Sequence, residues 1–228
     1  MKKFELTTEF ITNAFGKKLF RIKALVEFGD VKAGELGGYV EKEGNVSQAG
    51  NAWVYGNARV SGDARVSGNA WVYGNAWVSG NARVYGDARV YGDARVYGDA
   101  WVSGNARVYG DARVYGDAWV SGNARVYGNA EVSGNAEVYG DARVCGNAWV
   151  YGNADYALVQ GFGTEFRCTT FYRGKNKKIM VNCGCFHGDL EGFRKQVKET
   201  RNGKIAKEYL MIADLMEYHF TSEDSSDE

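Results

Sequence analysis

Gly50-Asn51-Ala52-Trp53-Val54-Tyr55 opens a six-residue phrase that repeats without insertion as far as Gly146-Asn147-Ala148-Trp149-Val150-Tyr151. Each phrase reads Gly, Asn or Asp, Ala, a variable residue, Val, then Tyr or Ser, with Cys145 once in the last place. Six residues are too few for a helical repeat unit, and a fixed short period signals a solenoid. Ala and Val sit two apart and share one face of a strand, while the variable residue points the other way. Gly followed by Asn or Asp supplies a corner, because these residues best tolerate positive φ. Three such strands close one triangular coil of eighteen residues. Stacked coils place residue n over residue n+18 at roughly 4.8 Å, the strand spacing. The seventeen phrases then make nearly six coils, a prism about 29 Å long. Its interior is a set of Val and Ala ladders, each Val contributing ~1.5–3 kcal/mol before entropy is subtracted. A single coil cannot bury its own interior, so neighbours must stack and the open ends need caps.

The aliphatic series Val54, Val60, Val66 and onward, with a small residue four positions later at Ala58, Ala64 and Ala70, resembles the hexapeptide-repeat, left-handed parallel β-helix superfamily. The stretches Leu36-Gly37-Gly38-Tyr39-Val40-Glu41 and Asn45-Val46-Ser47-Gln48 look like the degenerate lead-in of uncharacterised bacterial and phage members. In many enzymes of that superfamily Gly directly follows the aliphatic residue, whereas Tyr or Ser intervenes here. The left hand is implied by the resemblance. A right-handed three-sided helix, as in bactofilin-like polymers, satisfies the same period. The expected fold is therefore mainly β: a left-handed parallel β-helix, a three-sided solenoid of 18 residues per coil, with a small C-terminal α+β (ββαα) module.

The chain has 228 residues, zero formal net charge, four Cys and no Pro. Neutrality makes nucleic acid an unlikely partner. No apolar run approaches membrane-spanning length, and the start, Met1-Lys2-Lys3-Phe4-Glu5-Leu6, lacks the apolar core of a secretory signal. The Cys are too sparse for a disulfide framework, so a reduced cytoplasm is the expected compartment. The absence of Pro suits a backbone whose donors are committed to ladders.

Four segments follow from composition. Residues 1–49 read as an N-terminal cap and degenerate coils, with short strands at Phe4–Leu6 and Leu19–Ile22 around a turn near Gly16-Lys17-Lys18. Residues 50–155 are the prism. Residues 156–221 read as the ββαα module, with strands at Glu165–Tyr172 and Lys178–Asn182 joined by a turn at Arg173-Gly174-Lys175-Asn176. Leu190, Phe193 and Val197 mark one amphipathic helix of that module; Ile205, Tyr209, Ile212, Leu215 and Met216 mark a second. Residues 222–228 form an acidic tail expected to be disordered.

Reading every eighteenth residue yields three unequal outward columns. The first stacks Trp53, Trp71, Arg89, Arg107, Arg125 and Arg143 beside Tyr55, Tyr73, Tyr91, Tyr109, Tyr127 and Cys145. The second stacks Arg59, Trp77, Arg95, Arg113, Glu131 and Trp149; the third stacks Arg65, Arg83, Trp101, Trp119, Glu137 and Asp155. Neighbouring Arg in the first column repel by roughly 1 kcal/mol in water. The Tyr column offers cation–π relief, and an anionic partner or an acidic protein surface offers more. Arg89, Arg107, Arg125 and Arg143 with Tyr91, Tyr109 and Tyr127 are thus the candidate binding face, set against the plain reading that Arg and Tyr keep a long sheet soluble. Exposed Trp pairs suit an interface, so Trp53, Trp71, Trp101 and Trp119 are the candidate subunit interface. The superfamily resemblance implies a homotrimer.

Acyltransferases of the superfamily use a coil His as base, and its carbonic anhydrases use three His on one metal. The prism contains no His. His187 closes Cys183-Gly184-Cys185-Phe186-His187, where Cys183, Cys185 and His187 are a weak zinc candidate against a bland reading of packed thiols. The paired corner carboxylates Asp93 over Asp111 and Asp99 over Asp117 are a poor start for calcium. No cofactor is expected. The expectation is a non-catalytic binding or scaffold protein of phage or prophage type, acting on a host protein by inhibition or sequestration. The alternatives are an acyltransferase-like hexapeptide-repeat enzyme and a nucleotide-binding sponge at subunit clefts, which would take an anionic small ligand.

Overall fold

The computed structural model describes residues 2–164, 166–174 and 177–221. The acidic tail and part of the turn expected at 173–176 lie outside the described residues.

Seventeen two-residue strands, β4 (Trp53–Val54) to β20 (Trp149–Val150), recur every six residues and form a parallel β-solenoid. Each lies in register over the strand eighteen residues on, as in Arg89↔Arg107 and Val90↔Val108. Every phrase Ala and Val is fully buried. The interior is too narrow for larger side chains, which is why the phrase alternates a small residue with one β-branched residue. The corner Gly residues hold φ between +58° and +72°. At Gly86 an added Cβ would lie 3.0 Å from the backbone N of Gly104, so close stacking of corners also demands Gly.

The solenoid has three sheets. The second-face sheet extends beyond the prism to nine strands, because β1 (Phe4–Thr12), β2 (Lys18–Ala24) and β3 (Leu36–Val40) continue it. β1 and β2 are longer than the sequence suggests. The lead-in coil contains twenty residues per turn, with Val40 over Val60 and Val46 over Val66.

The C-terminal module differs from the expected ββαα pattern. It has four antiparallel strands in chain order: β21 (Tyr156–Phe162), β22 (Arg167–Arg173), β23 (Ile179–Cys183) and β24 (Phe186–Asp189). The two missed strands are short or hold Gly, which blurs their alternation. Helices α1 (Leu190–Thr200) and α2 (Gly203–Thr221) pack on this sheet through Phe193, Val197, Tyr209, Ile212 and Met216. Leu215, expected on the buried stripe, faces outward at 58 % exposure. Asp189 caps α1 by accepting from the Gly192 amide at 2.9 Å.

Parallel stacking leaves opposite groups bare at the two ends. In the prism the N–H of each coil donates to a carbonyl of the next, as in Asn51 to Gly68 and Trp53 to Ala70. The first coil therefore exposes carbonyls and the last exposes N–H groups. At the N-terminal end Lys3 Nζ donates to the carbonyls of Gly50 and Ala52, and Asn45 Nδ2 donates to those of Gly62 and Ala64. At the other end the Thr170 hydroxyl accepts from the Arg143 amide, and the Asn153 side chain accepts from that of Glu137.

Candidate functional site

The first face carries the longest stacked tyrosine ladder among the described residues. Rings of Tyr73, Tyr91, Tyr109 and Tyr127 stack at 4.7–5.0 Å with interplanar angles of 2–3°. The spacing is that of the strands beneath, so the ladder is imposed by the backbone. Burial against neighbouring rings pushes the Tyr73, Tyr109 and Tyr127 hydroxyls above their ordinary pKa, so they stay protonated at neutral pH.

Beside the tyrosines, Arg89, Arg107, Arg125 and Arg143 occupy consecutive rungs in register. Arg89 lies over the Trp71 ring at 4.9 Å. Arg113 pairs with Glu131 on the second face, while Asp63 and Asp155 pair with Lys42 and Arg173 of the flanking segments, and the four arginines have no carboxylate partner among the described residues. The structure thus brings together all seven residues of the candidate face.

The tryptophans divide. Trp101 and Trp119 are exposed on the third face, 6.1 Å apart, and Trp71 is half-buried. Trp53 is a correction: it is wholly buried and cannot present a surface. The N-terminal hairpin and the loop after it fold across the first rung and set Phe4 and Phe28, respectively, edge-on to the indole at 5.8 and 5.3 Å.

The weak zinc trio does not assemble. Cys183 accepts a hydrogen bond from the Thr169 hydroxyl at 3.0 Å, and Cys185 is exposed on the turn between β23 and β24. His187 turns away from both, with Nδ1 at 3.4 Å from Cys145 Sγ and 3.4 Å from the Tyr172 hydroxyl. Among the described residues no group of three potential ligands converges, the Asp columns included. At the corners, Asn75 and Asn81 instead donate to Asp93 and Asp99.

Two features escaped sequence reasoning. Trp77 donates to Ser61 and Trp119 to Ser103, each a Trp paired with a Ser sixteen residues earlier. That offset was a usable signal. The other is Cys145, the one break in the Tyr/Ser position, where Tyr172, Asn182 and His187 of the module meet the tyrosine ladder.

Residues 52–68, 64–80, 76–90, 88–104, 106–122, 118–134 and 136–152 match the family model described as YdcK Beta solenoid repeat. The chain is a β-helix repeat protein. No curated protein matches it. Among the described residues of this β-helix protein, no helix is long and apolar enough to cross a membrane.

Proposed function

We propose that this β-helix protein is a non-catalytic scaffold that binds another protein through its first face, as a phage- or prophage-type product that sequesters or inhibits a host factor. The reading takes the hexapeptide-repeat superfamily, with its left-handed coil and trimeric members, as its frame, and places the protein in the cytoplasm on its sparse cysteines. The observation that carries it is the row of arginines, without carboxylate partners among the described residues, beside a rigid tyrosine ladder. Tyr and Arg are the residues most enriched where interfaces concentrate their energy. Here the tyrosine rings are pre-ordered by stacking, so they lose little entropy when a partner binds. The partner's matching surface is acidic with apolar edges. Trp101 and Trp119 supply the self-association surface on the third face.

Capture of partners with the whole protein tests the reading. Arg89→Glu/Arg107→Glu/Arg125→Glu weakens the captured complex at least about tenfold, whereas Met211→Ser/Leu215→Ser on the exposed side of α2 leaves it unchanged. The opposite pattern assigns the work to the module. Native mass spectrometry reads the assembly: Trp101→Ser/Trp119→Ser converts a trimer to monomers, and a wild-type monomer removes that part of the proposal.

A further inference from the structure

A cleft of about 470 Å³ opens where the arginine row meets the C-terminal module. Arg125 and Arg143 line one side, and Gln160, Cys168, Gly184 and Cys185 line the other. The two arginines are register partners on adjacent rungs, so their side chains leave the sheet roughly 4.8 Å apart. Neither has a carboxylate partner among the described residues, although Asp141 also lines the cleft and opposes an anion there. One oxygen of Asp141 is engaged by the Asn123 amide at 3.0 Å. Burial holds the Cys168 thiol above its ordinary pKa, so that wall presents a neutral S–H and not a thiolate.

The choice of ligand follows from geometry. Each guanidinium is a planar fork that donates to two oxygens. A single carboxylate is satisfied by one fork. A phosphate monoester carries three free oxygens and a charge of about −1.5 to −2 near neutral pH, and so can engage two forks one rung apart. The cleft volume also falls within the size range of small-molecule sites. We propose that the Arg125–Arg143 cleft binds the terminal phosphate of a small phosphorylated ligand. This site shares Arg125 and Arg143 with the proposed protein-binding face, but it is tested with small anions and no protein partner, so either reading can fail without the other. Arg107 is the register partner of Arg125 one rung back.

Calorimetry on the full chain at low ionic strength, with inorganic phosphate, pyrophosphate and malonate as probes, tests the site. Pyrophosphate should bind one per chain, phosphate more weakly, and malonate at least about tenfold more weakly than pyrophosphate. Arg125→Gln and Arg143→Gln should each weaken pyrophosphate about tenfold or more, and Arg89→Gln less than about twofold. As a second readout, bound pyrophosphate should slow alkylation of the exposed Cys185, followed peptide by peptide. Absence of both binding and protection overturns the site. Equal losses in Arg89→Gln and Arg143→Gln overturn it in favour of a diffuse field along the row. Malonate binding as tightly as pyrophosphate overturns the phosphate assignment.

Discussion

At the scale of single residues, the phrase assigns each position one physical task. The Gly corners are the most restrictive. Gly98 sits at φ +72°, and a Cβ there would come within 2.9 Å of the Gly116 nitrogen. The left-handed region costs a non-Gly residue about 1–2 kcal/mol, and backbone atoms cannot swing aside as a side-chain tip can. Gly98→Ala should therefore destabilise the protein by at least about 2 kcal/mol, read as a shift in the denaturant midpoint. Gly44 has nothing within 4 Å, so Gly44→Ala is the matched control and should move that midpoint little. The next position explains why Asn and Asp are mixed. Asn51, Asn69, Asn105 and Asn123 each donate to the Asn or Asp one coil on, at 3.0–3.2 Å. An Asp above an Asp, as at Asp93 and Asp111, has no such donor and adds repulsion, so columns of Asp alone would work against stacking.

At the scale of elements, the caps are complementary because the solenoid is polar. Carbonyls exposed by the first coil meet side-chain donors, and N–H groups exposed by the last meet side-chain acceptors. Lys3 is the costliest of these devices. It is 4 % exposed, lies 4.6 Å from the Phe28 ring centroid, and burial pushes its pKa down to about 8. In the unfolded chain Lys3 titrates near 10.5. Between those two values the unfolded chain holds a proton that the folded chain has released, so raising pH through the window favours folding. Below pH 8 both states are protonated and the full burial penalty is present. The expected outcome is a Lys3 contribution that rises from about pH 8 toward pH 10, with a slope of at most about 1.4 kcal/mol per pH unit. It is read as the difference between wild type and Lys3→Met, because the raised Cys168 and tyrosines lower stability toward the top of the same range. Lys3→Met should lose that rise while leaving the Gly50 and Ala52 carbonyls without their donor. Urea melts of both proteins across the window check it, and a rise that persists in Lys3→Met assigns the linkage to another group.

At the scale of the whole molecule, legibility tracked repetition. The coil, its eighteen-residue register and its buried Val and Ala ladders were open to reading, because one local rule repeated seventeen times leaves a single consistent stacking. So were the arginine and tyrosine columns, since register alone sets them. What the period could not convey was where the repeat stops. Trp53 looks like the other outward Trp residues in sequence, yet the hairpin carrying Phe4 and the loop carrying Phe28 cover it. The module's four strands lack a period, and two of them escaped notice. Its docking point, however, was marked. Cys145 stands where the phrase places Tyr or Ser, and it is 3 % exposed, with the Tyr172 hydroxyl at 3.5 Å and His187 Nδ1 at 3.4 Å. A tyrosine there would extend the stacked ladder by one rung, but its ring would claim the space held by Tyr172 and His187. Cys145→Tyr should accordingly displace the module while leaving the coils intact, because the Val and Ala interior does not include that side chain. Hydrogen exchange distinguishes the outcomes: amides of β22 and β23 lose protection, while those of the central coils around Val90 and Val108 keep theirs. Loss of protection along the entire prism would mean that the module is an obligatory end cap, and that the Thr170 hydroxyl on the Arg143 amide is part of what holds the last coil closed.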